Sequence, residues 1–290
     1  MPAPLTGDDL VLCSGTIARA LLPDAVPIAE SAGFRGLSVY FDDYVAVRDR
    51  GWTDATLRTL LDDHDVAVAE LDGAMRWLPG DTRGPSAMEF LDAAAALGAR
   101  SCTVIEVDGR VVGDGAGDDL PLAVVAEEFA TLADLAAARG LLLHLEYFPV
   151  SGIRDFATAH AIASAAGRDN GGVLLDVFHH TRGPDAGRTD FGGAAARVFG
   201  VQVNDARAEP AMSLPREIMH DRLLPGEGAA NVAGLLGALR DQGCTAPFGV
   251  EVYSDALQAL GPAEAARRAG DALRRVVPAT GRGSRAPRSP

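Results

Sequence analysis

The chain has 290 residues, 48% of them hydrophobic, and a formal net charge of −14. That supports one large domain with a sizeable core and argues against a nucleic-acid partner, whose phosphates need a positive surface. All 26 basic residues are arginine, which excludes Schiff-base aldolase, pyridoxal phosphate and Walker A chemistry, each of which needs a lysine.

The first residues, MPAPLTGDD, read as a flexible N-terminus over 1–9 with neither a basic nor an apolar leader segment. No apolar run reaches the roughly 20 residues of a membrane span, so a cytoplasmic protein without a membrane partner is expected. Strands are expected at 10–16, 36–40, 66–73, 100–107, 141–149, 171–178, 200–206 and 248–254, with helical spacing between them at 23–33, 54–64, 85–98, 120–140 and 231–243. Cys13 and Cys102 sit in apolar runs and read as core; with Cys244 they make no CxxC or disulfide framework. GDGAGDD at 113–119 reads as an exposed acidic loop, and the Pro, Gly, Ser and Arg tail at 278–290 as disordered.

Strand and helix alternation implies a parallel sheet, because parallel neighbours need a crossover between them. Eight repeats point to an α/β fold, a (β/α)8 TIM barrel filling residues 10–277 as a single domain. A doubly wound sheet is the alternative, but no GxGxxG follows a first strand.

In such a barrel the C-terminal ends of the strands converge on one mouth. Alternation in VQVND puts Val201 and Val203 on one face and Gln202 and Asn204 on the other; in GVEVY, Glu251 opposes Val250 and Val252. By the same rule Glu146 shares a face with His144, and Asp176 with Leu174. Three carboxylates and an amide therefore point inward from strands 5 to 8. Their repulsion and desolvation would raise their pKa values or call for a cation, and oxygen donors suit Mg²⁺ or Mn²⁺.

The ordered motifs LEYFP, LLDVFHH, VQVND, RLLPGEG and GVEVYS resemble the xylose isomerase-like TIM-barrel superfamily, the sugar phosphate isomerase/epimerase group also described as AP endonuclease family 2. The resemblance covers most of the chain. It implies that Glu146, Asp176, Gln202 and Glu251 hold one Mn²⁺, Mg²⁺ or Co²⁺ and that His179 reaches a substrate oxygen beside it. Gln202 stands where the ketose epimerases have histidine and looks like the hydroxypyruvate isomerase arrangement. Glu146 and Glu251 are then the acid/base pair, passing a proton through a metal-stabilised enediolate in isomerisation or epimerisation of a sugar, cyclitol or keto acid.

Arg222 and Arg207 are expected to hold substrate oxygens, and Trp77 and Phe148 to form an apolar wall. His144 reads as a hydrogen-bonded core residue, His180 has no role, and Glu227 organises its loop or touches substrate. The same metal site could expel a β-leaving group, so a dehydratase or lyase of the inosose, dehydroshikimate or 3-oxo-glycoside kind is the alternative. The superfamily's DNA-repair endonucleases carry more histidines than the six found here, and a non-catalytic binding module has no need of two acid/base glutamates. Family members often form dimers or tetramers, so a homo-oligomer is compatible with the resemblance.

Overall fold

A computed structural model describes residues 2–111 and 120–277; the acidic stretch 113–119 and the tail 278–290 lie outside the described residues. Eight strands close into a barrel in chain order: β1 (Leu10–Leu12), β2 (Gly36–Tyr40), β3 (Ala67–Ala74), β4 (Ser101–Val104), β5 (Leu142–Glu146), β6 (Gly171–Asp176), β7 (Val198–Val203) and β8 (Phe248–Val250). Every neighbouring pair is parallel, and β8 returns to β1 through Leu10–Phe248 and Leu12–Val250. The expected strands at 10–16, 141–149 and 248–254 stop early because the chain leaves the ladder at the mouth to build the rim of the site.

Around the barrel run α1 (Leu22–Ser31), α2 (Phe41–Asp49), α3 (Asp54–Asp63), α4 (Ala87–Leu97), α5 (Leu122–Ala137), α6 (Phe156–Ala166), α7 (Val177–Arg182), α8 (Leu214–His220), α9 (Val232–Asp241), α10 (Asp255–Gln258) and α11 (Pro262–Val276). Their starts are written locally. Ser86 and Glu89 form a reciprocal capping box on α4, Thr53 and Thr56 do the same on α3, and Asp155 caps α6 by accepting from Thr158 N. Gly98, at φ +70°, ends α4 in the left-handed conformation that glycine adopts without a Cβ penalty.

Leu12, Leu37, Leu71, Leu143, Val173 and Val201 face outward into one apolar layer with the helices. The interior is different. Its lower end packs Val11, Cys13 and Ala69 against Leu5. Thr6 closes a turn onto Asp9, with its N and Oγ1 at 2.7 and 2.8 Å from Asp9 Oδ2, and Gly7 O accepts from Arg240 at 2.6 Å. Residues 5–9, expected as flexible, are thus tied to the base of the barrel.

One irregularity shapes the interior. Leu37 pairs with Val68 but Ser38 pairs with Glu70, so Ala69 is an extra residue in β3. Such a bulge shifts the alternation by one and re-aims the side chains beyond it. Val68 lies in the apolar layer outside the barrel, and without the bulge Glu70 would share its face.

Candidate functional site

Glu146 and Asp176 are the last residues of β5 and β6, Gln202 lies near the end of β7, and Glu251 directly follows β8; all four are buried. Asp176 also caps α7, its Oδ1 accepting from His179 N at 2.9 Å. This cap turns the chain sharply at the mouth and fixes the next ring beside the strand ends. As a result, one donor atom each of Glu146, Asp176 and His179 lies within 4.8 Å of the other two.

Arg222 is the cation among these acids. Its NH1 donates to Asp176 Oδ2 at 2.7 Å and to Glu251 Oε2 at 3.1 Å, while NH2 sits 3.4 Å from His179 Nε2. The rings of Phe178 and Tyr253 lie 5.2 and 4.9 Å from its guanidinium carbon. The backbone explains why it is held so firmly. Asp205 and Leu223 exchange two 2.9 Å hydrogen bonds, and Arg222 N donates to Tyr253 O. Asp205 then accepts from the N–H groups of Gly226, Gly228 and Ala230 at 2.9 to 3.0 Å. Asp205 therefore organises the PGEG turn, a role the sequence pattern offered to the exposed Glu227.

Electrostatics follow from burial. Desolvation, with Asp72, Glu251 and Asp176 nearby, pushes Glu146 well above the carboxylate range, and desolvation raises Glu251 to about 8 against the pull of Arg222. Burial lowers His179 to about 4, so its ring is neutral at pH 7. Arg222 is raised by Asp176 and Glu251, which outweigh its own desolvation. One arginine cannot neutralise three carboxylates, and a dication added to Glu146, Asp176, Glu251 and Arg222 makes the set neutral.

Among the described residues three buried side-chain oxygens have no hydrogen-bond partner: Gln202 Oε1, Glu251 Oε1 and the Oδ1 of Asn204, whose Nδ2 donates to Asp176 Oδ2. Unpaired buried acceptors are costly. Together with the carboxylate-rich cluster they fit a hard divalent ion, which takes oxygen donors and accepts a neutral imidazole.

Below this layer lie residues that the sequence pattern did not single out. Glu70 accepts from Gln202 Nε2 at 3.2 Å, and its other oxygen is 3.5 Å from His144 Nε2. Burial raises Glu70 and Asp72 to about 7, and Asp72 takes hydrogen bonds from the Thr103 and Tyr40 side chains. Burial lowers His144 to about 3, and the ring meets Thr103 Oγ1 at 3.2 Å, in agreement with a hydrogen-bonded core histidine. A Cβ on Gly200 would come within 2.4 Å of that ring, so only glycine fits there.

The remaining expected site residues divide. Phe148 is half-buried, with its ring 5.5 Å from that of His179, at the site. Trp77 is turned into the helix layer, because its Nε1 finds Ile105 O at 2.9 Å and its edge meets Phe129 of α5. Arg207 is drawn away from the cluster by Asp221, which it meets at 2.8 and 3.1 Å. His180 is structural: it bridges Tyr147 OH and Arg188 O, both at 2.8 Å.

Among the described residues no helix is long and apolar enough to cross a membrane. The chain is 31% identical over 152 residues to an inosose isomerase of Halalkalibacterium halodurans, covering 50% of this chain and 51% of that protein. It is 28% identical over 247 residues to a 3-dehydroshikimate dehydratase of Pseudomonas aeruginosa, covering 82% of this chain and 37% of that one. It thus spans about half or less of the length of these relatives. Among solved structures, the IOLI protein with a binding zinc atom superimposes with a TM-score of 0.79 at 19% identity, over 93% of this chain and 98% of that one. A D-psicose 3-epimerase in the presence of D-fructose gives 0.68 at 18% identity, over 93% and 99%. The family described as xylose isomerase-like TIM barrel matches residues 26–276, and with its closed eight-stranded parallel barrel the chain belongs to that family.

Proposed function

We propose that this chain is a divalent-metal-dependent isomerase or epimerase of a small polyol carbonyl compound, a sugar, cyclitol or keto acid, acting in the cytoplasm. The observation that carries the reading is the buried cluster of Glu146, Asp176 and His179, bound through Arg222 to Glu251. Glu146, Asp176, Gln202 and Glu251 would hold the ion, with Mn²⁺, Mg²⁺ and Co²⁺ all suited to such donors. When bound, the ion supplies Lewis-acid polarisation of a carbonyl and its neighbouring hydroxyl.

The chain's own groups do the rest. Glu146 and Glu251 are the pair that would take a proton from carbon and return it; burial alone keeps both protonated, and a cation held beside them would favour the ionised carboxylate that can act as the base. Arg222 stabilises the negative charge that develops on substrate oxygen. His179 offers a neutral ring to a substrate hydroxyl, and the half-buried Phe148 beside it gives an apolar surface.

Elimination is the second reading, favoured by the likeness to the dehydratase over 82% of this chain. One glutamate would take the same proton from carbon, the C–O bond to a β-hydroxyl breaks as the C=C bond forms, and the carboxyl group of the other glutamate would give that hydroxyl a proton so that it leaves as water. Product mass separates the two, since isomerisation conserves it and dehydration loses water.

The test begins with metal content. Wild-type protein dialysed against Mn²⁺, Mg²⁺ and Zn²⁺ should retain about one ion per chain, as one site requires, and a Glu146→Gln/Glu251→Gln variant should retain none. The wild type is then screened on keto-sugars, inososes and dehydroshikimate. Absence of any ion from the wild type, or activity that survives complete demetallation, would overturn the proposal.

A further inference from the structure

We infer that Glu70 is a positioning residue for the metal centre, fixing which end of the Gln202 amide faces the ion. The inference rests on the reading of Gln202 as a ligand. It starts from a chemical ambiguity: an amide has a donor end and an acceptor end of nearly the same shape, and only the oxygen can ligate a cation. Something must choose between them.

Glu70 makes that choice by contact. Gln202 Nε2 lies 3.2 Å from Glu70 Oε1. The reverse orientation would set the amide oxygen against a carboxyl oxygen, acceptor against acceptor. The remaining carboxyl oxygen, Oε2, faces His144 Nε2 at 3.5 Å, so Oε1 is the oxygen turned toward the amide. With Nε2 engaged, Gln202 Oε1 is buried with no partner. The amide is thus set with its oxygen available for a cation before any cation arrives. Second-layer groups that orient ligands in this way typically control about 10- to 100-fold in metal affinity.

Glu70 reaches this position through the extra residue in β3. Leu37 pairs with Val68 and Ser38 with Glu70, and the inserted Ala69 turns Glu70 from the helix side into the barrel. The bulge and the carboxylate together form the device. Glu70 is 6% exposed and Gln202 1%, so water has little access to compete for the amide.

The experiment is a cycle of Mn²⁺ dissociation constants, read from the free-ion paramagnetic signal, on Glu70→Leu, Glu70→Gln, Gln202→Leu and the Glu70→Leu/Gln202→Leu double variant. Glu70→Leu should bind Mn²⁺ at least about tenfold more weakly than wild type. Glu70→Gln, which keeps an acceptor, should stay within about twofold of wild type, and Glu70→Leu should add nothing once Gln202 is leucine. Equal losses from Glu70→Leu in both backgrounds, or no loss in either, would overturn the inference.

The Gln202 side-chain carbonyl gives a readout in unaltered protein, useful if the leucine variant does not fold. The chain has three glutamines, Gln202, Gln242 and Gln258, so ¹³C-glutamine labelling gives few signals to assign. In metal-free protein the Gln202 Nε2 protons should already show the shift of a hydrogen-bonded amide, and Zn²⁺ should then move the Gln202 Cδ signal; Nε2 protons at the free-amide position before metal is added overturn the inference. If Gln202→Leu binds Mn²⁺ like wild type, the inference fails while the carboxylate site stands. If wild-type protein binds no Mn²⁺, the proposed function itself fails.

Discussion

The two ends of the barrel are made by the same eight strands and are chemically opposite. At the C-terminal mouth, Glu146, Asp176, Glu251, His179 and Arg222 are buried side by side. At the N-terminal end, a cavity of about 360 Å³ is lined by Leu5, Leu61, Val68, Leu97 and Leu142, with Arg58 and Arg100 at its edge. This cavity lies at the end of the barrel away from the Glu146, Asp176 and His179 cluster. Arg58 donates to the carbonyls of Ala95 and Ala96 and Arg100 to that of Phe199, so the lower arginines are occupied with backbone. The difference comes from where parallel strands deliver their side chains: the mouth gathers residues from the strand ends and from the loops that leave them.

The strongest way to break this contrast is to exchange the consequences. Glu146→Gln should lower kcat by about 10² to 10⁴, the range for a general base, while the fold keeps its melting temperature or gains, because a raised carboxylate is neutralised. Leu61→Ala, at the other end, should cost about 2 to 5 kcal/mol in urea unfolding and leave kcat near that of wild type. A Leu61→Ala enzyme that folds normally but has lost turnover would place the chemistry below. Arg222→Leu should do both kinds of damage. It strands Asp176 and Glu251 without their cation, and breaking a buried pair costs about 3 to 5 kcal/mol, with loss of turnover measured on the folded fraction. A urea midpoint equal to that of wild type would deny the 2.7 and 3.1 Å contacts any part in holding the mouth together.

pH sharpens the same contrast, since Glu146 and Glu251, both raised by burial, lie at the mouth. Glu251 is raised by burial to about 8 and Glu146 is raised as well, whereas unfolded glutamate titrates near about 4.3. Between these values the folded chain holds protons that the unfolded chain has released, so stability falls as pH rises. The contribution is complete below the unfolded value and is lost as pH passes the folded one. Metal-free protein should therefore melt at lower temperature at pH 8.5 than at pH 5.5. Saturating Mg²⁺, which favours the ionised carboxylates, should reduce or remove that slope. A melting temperature in EDTA that climbs over the same range would contradict the packing of these acids.

The sequence made the mouth legible in part. Strand ends at Glu146, Asp176 and Gln202 follow from period-two alternation, which holds wherever the ladder is regular. Alternation fails at Ala69, where one inserted residue sends Glu70 and Asp72 inward; the VAVAELDG pattern carries no mark of it, because the bulge belongs to the pairing with β2. Asp205 was hidden for another reason. Its work is to accept from backbone N–H groups some 20 residues ahead, and turn chemistry that spans two loops leaves no local motif. Trp77 stood after a strand, as a site residue would, yet a carbonyl at Ile105 offered its indole N–H a partner in the helix layer. Sequence position gave the end of the barrel but not the direction of the ring.

The smallest contrast is between two neighbours, and it tests the proposed site at the finest grain. His179 and His180 are both buried on α7, but their surroundings differ. Arg188 O can only accept, so His180 Nε2 carries the proton and Nδ1 accepts from Tyr147 OH. Both ring nitrogens are satisfied, and burial lowers its pKa, which keeps it neutral. His179 Nδ1 has no partner and Nε2 faces Glu146 Oε1 at 3.7 Å. His180→Phe should therefore cost about 1 to 3 kcal/mol, the penalty for leaving a buried hydroxyl and carbonyl unpaired. Its kcat should stay within about threefold of wild type, since the groups that stabilise charge developing on the substrate are untouched. His179→Phe should show the reverse, a small change in stability and a large fall in kcat/KM. Because the two substitutions are identical and adjacent, helix propensity and ring volume largely cancel between them, and any difference in outcome reports which imidazole faces the reacting atoms.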